Sequence, residues 1–114
     1  MARNGRQIAD PAVRDILREA RRDLARIYGP RLKGLHLFGS HARGEADAGS
    51  DIDILIILDA IPDYFAEIQR TSELIAGLSL ACGRSLSRVF ATETAWREDH
   101  TMFYENVRTE SIPA

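Results

Sequence analysis

The chain has 114 residues, of which 45% are hydrophobic and 28% are charged, with a single cysteine. This length is sufficient for one hydrophobic core and too short for two, so one domain is expected after a short arm. The net charge of −2 argues against direct nucleic-acid binding, and the lone cysteine, which cannot form an intramolecular disulfide, favours a cytoplasmic protein.

The first predicted element is an amphipathic helix. Residues 1–9 carry little pattern and are expected to form a flexible N-terminal arm. Asp10 followed by Pro11 is typical of a helix start, and Gly29-Pro30 ends the helix. The arginines of this region most simply form its solvated face, and a charged partner surface is the alternative. Apolar residues recur at helical spacing at Val13, Ile16, Leu17, Ala20, Leu24 and Ile27.

Two strands and a loop follow. Residues 32–38 predict a strand that ends at Gly39, and residues 40–44 predict one helical turn. Residues 51–58 predict the strongest strand, because aspartates alternate with isoleucines before the segment becomes wholly apolar. That pattern is typical of a central strand whose first end reaches the surface. Its longest apolar run, residues 54–58, is too short for a membrane span.

The second half of the chain predicts helix, strand and helix. A helix opens at Pro62-Asp63 and stops at Gly83, a strand covers residues 86–92, and helical segments follow as far as Val107. The order α-β-β-α-β-α predicts a small α/β or α+β domain with a mixed sheet. The expected inner face of the helix before Gly83 consists of Phe65, Ile68, Leu74, Ile75 and Leu78.

The segment after the first strand has the residues of a phosphate-binding turn. Gly39 allows a sharp turn and a close approach to phosphate, and Ser40 offers a hydroxyl and an N–H at the start of a helical turn. Arg43 lies one turn further on. It could bind phosphate through two guanidinium nitrogens or support the loop through Asp47 or Asp51.

Two aspartates supply the other half of a nucleotide-handling site. Alternate residues of a strand share a face, so Asp51 and Asp53 project side by side, roughly 7 Å apart at the backbone. Mg²⁺ prefers oxygen ligands and is often shared between carboxylates and substrate phosphates. Either half alone would be read as an ordinary turn or a solvated strand edge, but the two together favour a site.

This combination resembles the nucleotidyltransferase superfamily of DNA polymerase β-like fold, whose signature is Gly-Ser, ten residues and Asp-x-Asp. Here Gly39-Ser40, the ten residues from His41 to Ser50 and Asp51-Ile52-Asp53 match that signature. The chain is more closely similar to the minimal nucleotidyltransferase domains of bacteria and archaea. The segments that carry this closer likeness are Gly39–Gly44, Ser50–Asp53 and Phe103–Arg108.

The resemblance implies a mixed sheet with helices mainly on one face and a single nucleotidyltransferase domain over residues 10–114. It implies Mg²⁺-dependent transfer of AMP from ATP to a hydroxyl of a partner protein, with release of pyrophosphate. It also implies an antitoxin of an all-helical HEPN ribonuclease toxin; a non-catalytic antitoxin that acts by binding alone is the alternative. The implied site residues are Gly39, Ser40, Arg43 and Ser50 for the nucleotide, and Asp51 and Asp53 for the metal and catalysis.

The chain departs from the family pattern at one position. Many members carry a third carboxylate on the next strand as a general base, but residues 86–92 contain no acid. Ser87 or Arg88 is expected in that place. Glu93 could substitute only if the strand were shorter, and we favour its placement in the first turn of the following helix.

Further aromatic and histidine residues are expected to be structural. His36 is expected to pack or form hydrogen bonds on the first strand, and His41 either faces solvent or reaches a phosphate. Adenine stacking is the alternative to a core or interface role for Tyr64, Phe65, Trp96, Phe103 and Tyr104.

Overall fold

The computed structural model describes residues 7–114, so most of the predicted N-terminal arm lies outside the described residues. Within that arm, Ile8 is partly buried and packs against the core. Helix α1 spans Pro11–Tyr28 and begins as predicted, because the Asp10 carboxylate accepts a hydrogen bond from the Ala12 N–H. Of the apolar residues at helical spacing, Ile27 is 39% exposed, and Tyr28 is buried beside it.

A mixed sheet forms the centre of the fold, as predicted, and it has four strands in the described residues. Its strands are β1 (Leu32–Phe38), β2 (Ile52–Leu58), β3 (Leu86–Thr92) and β4 (Ile112–Pro113), in the order β3-β2-β1-β4. β2 runs parallel to β3 and antiparallel to β1, and β4 pairs antiparallel with β1. β4 was not predicted, because two residues are too few to show a strand period.

Four further α-helices and a short 3-10 helix at Gly29–Arg31 complete the helices of the described fold. The four α-helices are α2 (Ser40–Arg43), α3 (Tyr64–Cys82), α4 (Glu93–Glu98) and α5 (Met102–Glu110). The long helices α1 and α3 pack on one face of the sheet, while α5 contributes Val107 to a smaller cluster on the opposite face. None of the helices in residues 7–114 is long and apolar enough to cross a membrane.

Strand β2 is the rigid centre of the molecule. Ile52, Ile54 and Ile56 are fully buried in the large core beneath α1 and α3, and Leu55 and Ile57 are buried on the other face. Full burial of each such side chain contributes about 1.5–3 kcal/mol. The residues that precede and begin this strand are therefore held in a fixed position.

The inner face of α3 differs from the prediction. Phe65 is 66% exposed, whereas Glu67 and Thr71 are buried at 3% and 0%. The buried carboxylate is tolerated because the Tyr28 hydroxyl donates a hydrogen bond of 2.7 Å to Glu67 Oε1, and Arg70 Nε donates one of 3.0 Å. A helical hydrophobic pattern cannot show this compensation, because Tyr28 belongs to a different helix.

Candidate active site

A glycine turn joins β1 to the single turn of α2. Gly39 has φ 76° and ψ −154°, a combination that only glycine adopts readily. Its carbonyl accepts hydrogen bonds from the N–H groups of Ala42 at 3.0 Å and Arg43 at 3.1 Å. The turn ends at Gly44, whose φ of 75° is left-handed. Ser40 is thus the first helical residue and lies directly beside the end of β1.

The same glycine lies against Asp53. The register of β1 and β2 places Phe38 opposite Asp53, so the turn after Phe38 passes over that carboxylate. A β-carbon on Gly39 would lie 2.3 Å from Asp53 Oδ2. The glycine turn and the second aspartate of the sequence motif are therefore in direct contact.

The two aspartates differ in environment. Asp51 is exposed and precedes β2, whereas Asp53 is partly buried within the strand. Burial and the negative charge of Asp51 raise the pKa of Asp53, and His41 and Arg43 only partly oppose this effect. Two carboxylates whose negative charge is only partly relieved, beside the glycine turn, are a donor set that fits Mg²⁺. Within residues 7–114, no group of three or more His, Cys, Asp or Glu side chains could hold a metal on its own.

Arg43 contacts carboxylates other than those predicted. Its Nε donates to Glu45 Oε1 at 2.9 Å, and its NH1 donates to Glu110 Oε2 of α5 at 3.1 Å. The predicted support through Asp47 or Asp51 is wrong, because Glu45 and Glu110 hold the guanidinium. The arginine nevertheless lies at the cleft that contains Asp53, described below.

Ser50 belongs to the loop and lies outside the cleft. Its hydroxyl accepts from the Asp47 N–H at 3.0 Å and lies 3.2 Å from Asp47 Oδ1. The ring nitrogen Nε2 of His41 lies 3.4 Å from the Ser50 carbonyl oxygen. These contacts fix the acidic loop that leads into Asp51 and β2.

An open cleft of about 410 Å³ brings four of the six predicted site residues together. Gly39, Ser40, Arg43 and Asp53 line one side, together with Phe38. Helix α5 lines the other with Phe103, Asn106, Val107 and Glu110. Asp51 and Ser50 are not among the lining residues. A larger hollow of about 550 Å³ lies between α1 and β4, but neither an aspartate or glutamate side chain nor the glycine turn lines it.

Asn106 and Glu110 are cleft residues that sequence reasoning did not assign. Phe103, Asn106, Val107 and Glu110 are spaced as one face of a helix, a signal that is visible in the sequence. That signal cannot show what the face covers. The cleft contact comes from the packing of α5 near the end of β1, opposite the long helices.

No third carboxylate on β3 accompanies the aspartate pair. Ser87 stands in parallel register with Asp53, so the serine occupies the neighbouring place on that strand. Arg88 is engaged elsewhere, donating to Thr71 Oγ1 at 2.8 Å and to the Ile68 carbonyl at 2.7 Å. Glu93 begins α4 and pairs with Arg97 at 3.5 Å, as favoured from the sequence.

Comparisons of sequence agree with this architecture. A family model for the nucleotidyltransferase domain matches residues 17–85, which include the glycine turn and both aspartates. A candidate protein adenylyltransferase of Methanocaldococcus jannaschii is 35% identical over 78 residues, covering 67% of this chain and 88% of that protein. The protein adenylyltransferase MntA of Thermococcus cleftensis is 37% identical over 68 residues, covering 58% and 67% of the two chains.

Comparisons of structure point the same way. A candidate minimal nucleotidyltransferase superimposes with a TM-score of 0.58 at 25% identity, covering 98% of this chain and 100% of the other. A chain from a toxin–antitoxin crystal structure with AMP-PNP superimposes with a TM-score of 0.58 at 26% identity. That alignment covers 83% of this chain and 69% of the other.

Proposed function

Because this chain belongs to the nucleotidyltransferase domain family, we propose that it transfers AMP from ATP to a hydroxyl group of a partner protein. The observation that carries the proposal is the contact of Gly39 with Asp53 in a cleft that also contains Arg43. Relatives named protein adenylyltransferases support a protein as the acceptor.

Each cleft residue has a role in this proposal. The Gly39-Ser40 turn lets the backbone and the serine hydroxyl approach the triphosphate, and Arg43 donates to its oxygens in place of Glu110. Ser50 holds the loop that positions Asp51. Asp51 and Asp53 would hold Mg²⁺, which when bound neutralises phosphate charge and polarises the reacting phosphoryl group.

The reaction is a nucleophilic displacement at the α-phosphorus of ATP. The acceptor hydroxyl oxygen forms a bond to the α-phosphorus of ATP, the bond from that phosphorus to the bridging oxygen of the β-phosphate breaks, and pyrophosphate leaves. Ser87 provides no base at the position next to Asp53, so the hydroxyl proton passes to the Asp53 carboxylate or to water. A positioned general base contributes about 10²–10⁴-fold, and we therefore expect a slow transferase.

We further propose that the partner is a helical HEPN-type toxin in the cytoplasm and that this chain is its antitoxin. Support comes from the likeness to a chain solved within a toxin–antitoxin structure. A second candidate function is neutralisation by binding alone, with the nucleotide site as a relic. The serine in the place of the third acid favours this second candidate.

Transfer of label distinguishes the two functions. The purified chain is incubated with Mg²⁺, α-labelled ATP and lysate of its own host, beside Asp53→Asn. Asp59→Asn is the matched control, because Asp59 lies just beyond the opposite end of β2 and outside the cleft.

A labelled protein band that appears with wild type and Asp59→Asn, and not with Asp53→Asn, is the expected result. Wild-type protein that binds ATP and a host protein yet labels nothing would contradict the enzyme and leave the binding antitoxin.

A further inference from the structure

We infer that Phe103 and Asn106 of α5 form the base-binding part of the nucleotide site and favour adenine over guanine. This inference rests on the proposed function, since it assigns the base of the same nucleotide. It concerns the side of the cleft that α5 forms, opposite the glycine turn and Asp53. The Gly-Ser and Asp-x-Asp motifs contribute no residue to that side.

Phe103 offers an aromatic surface inside the cleft. Its ring contacts Phe38 edge-on, with centroids 6.0 Å apart and planes at 89°, and it contacts Tyr104 at 5.2 Å and 83°. These edge contacts hold the ring in place while 39% of the residue remains exposed. Phe38 is the β1 partner of Asp53 in the sheet. The Phe103 ring contacts Phe38, so only the Phe38 residue separates it from Asp53. A positioned, partly exposed ring is suited to stacking on a base.

Three other aromatic residues do not meet this description. Phe65 is 66% exposed at the start of α3 and does not line the cleft. Trp96 is engaged with the ring of His36 at 4.5 Å between centroids. Tyr64 is committed to β3, where its hydroxyl accepts a hydrogen bond of 3.0 Å from the Phe90 N–H.

Asn106 follows Phe103 by one helical turn on the same face. It is exposed to the cleft, and its carboxamide has no hydrogen-bond partner among residues 7–114. A carboxamide presents one acceptor oxygen beside a donor NH₂ group. Adenine presents the complementary pair, an acceptor N7 beside a donor N6, whereas guanine presents two acceptors at N7 and O6. Asn106 can therefore satisfy adenine at both positions and guanine at only one.

The dimensions of α5 are compatible with a bound nucleotide. Glu110, which contacts Arg43 at the phosphate end, lies seven residues beyond Phe103 on the same helix. At 1.5 Å per residue this separates the two ends of the cleft by roughly 10 Å. The triphosphate can thus lie at Arg43 and the glycine turn while the ribose spans Val107 and the base reaches Phe103.

Calorimetric titration with Mg²⁺ and the analogues AMP-PNP and GMP-PNP tests the inference without requiring transfer. We expect the wild type to bind AMP-PNP at least about fivefold more tightly than GMP-PNP, and Asn106→Ala to bring this ratio close to one. Phe103→Ala should weaken both analogues by at least about fivefold, because stacking does not depend on the base. Phe65→Ala and Gln69→Ala, exposed α3 residues outside the cleft, are the matched controls and should change neither affinity nor ratio.

Phe103→Leu serves as a second variant, since it keeps apolar contact with Phe38 and removes the ring. An unchanged ratio in Asn106→Ala, or unchanged affinity in both Phe103 variants, overturns the inference even where Asp53→Asn still abolishes transfer. A wild type that binds neither analogue contradicts the proposed function and the base site together, so the two failures are distinguishable.

Discussion

Gly39 and Asp53 are in contact, and the carboxylate fits there because glycine has no β-carbon. An added Cβ would lie 2.3 Å from Asp53 Oδ2. The contact follows from the pairing of Phe38 with Asp53 between β1 and β2. It explains physically why glycine and aspartate occur together in this site. The Asp53 carboxylate excludes a side chain at position 39, although 13 residues lie between the two positions in the sequence.

Gly39→Ala should therefore destabilise the fold and abolish nucleotide binding. Two effects reduce the free energy of unfolding: an alanine is strained at a φ of 76°, and its Cβ collides with Asp53. Backbone strain of this kind alone costs about 1–3 kcal/mol. Chemical denaturation and titration with AMP-PNP measure the two effects.

Gly44→Ala is the matched control for that variant. Gly44 has a similar φ of 75°, but an added Cβ would meet nothing within 4 Å. We expect it to lose stability through strain alone and to retain more affinity than Gly39→Ala. Equal losses in both variants would show that the contact with Asp53 is unimportant.

Asp53→Asn should make the metal-free protein more stable at neutral pH. Burial and the charge of Asp51 raise the pKa of Asp53, so the fold favours its neutral form. A raised carboxyl pKa means that stability falls as pH rises through the folded pKa, and the amide removes that loss. The gain should vanish below about pH 4, where the wild-type carboxyl is neutral in both states. Thermal unfolding in EDTA measures it.

Asp59→Asn should change the stability of the protein in the opposite direction. A hydrogen bond and charge from Arg31 lower the pKa of Asp59 despite some burial cost, so removal of its charge should reduce stability at neutral pH. A melting temperature of Asp53→Asn below that of wild type, in EDTA at neutral pH, would contradict the conclusion that burial and the charge of Asp51 disfavour ionised Asp53.

Glu110→Gln should strengthen triphosphate binding. Glu110 competes with phosphate for Arg43 and adds negative charge to the cleft. Exposed ion pairs contribute about 0.2–1 kcal/mol, which corresponds to an affinity gain of up to about fivefold. Titration with AMP-PNP at two salt concentrations measures it, and the gain should shrink at high salt. Weaker binding would instead make Glu110 a residue that positions Arg43.

Ser87→Asp should accelerate transfer. The substitution places a carboxylate in register with Asp53 on an exposed position of β3. A well-placed base contributes about 10²–10⁴-fold, and an unoptimised one should still give a gain of about tenfold. Initial rates with α-labelled ATP measure it. Ser85→Asp, which adds the same charge before β3 begins, controls for a general electrostatic effect, and equal rates in both variants would exclude the base role.

Tyr28→Phe should cost about 1–3 kcal/mol at neutral pH, because it removes a hydrogen bond to the buried Glu67 carboxylate. Burial opposes ionisation of Glu67, but hydrogen bonds from Tyr28 and Arg70 outweigh it and lower the pKa of Glu67. A lowered pKa gives stability that is present above the unfolded value of about 4.3 and lost as pH falls through the folded pKa. The difference between variant and wild type should shrink over that acidic range, as followed by urea unfolding.

Tyr104→Phe controls for loss of a hydroxyl, since the Tyr104 side chain makes no hydrogen bond in the described part of the chain. It should change stability by less than about 0.5 kcal/mol. A pH-independent loss in Tyr28→Phe would contradict the assignment of the effect to ionised Glu67.

Local chemistry in the sequence determined the secondary structure and the motif residues. Asp10-Pro11 starts α1, and the alternation of Asp51 and Asp53 with isoleucine marks the beginning of β2, because helix and strand periods arise from backbone geometry alone. The proximity of the Gly-Ser turn to Asp53 could be predicted, since both lie within a single strand–turn–strand unit.

Only the tertiary structure decided what faces this site. Arg43 meets Glu110 across 67 residues, Ser87 rather than Arg88 stands beside Asp53, and α5 brings Phe103 and Asn106 to the cleft. The burial of Glu67 likewise depends on Tyr28 from another helix. These contacts depend on how separate elements pack and on strand register, which long-range burial selects and which no local period in the chain encodes.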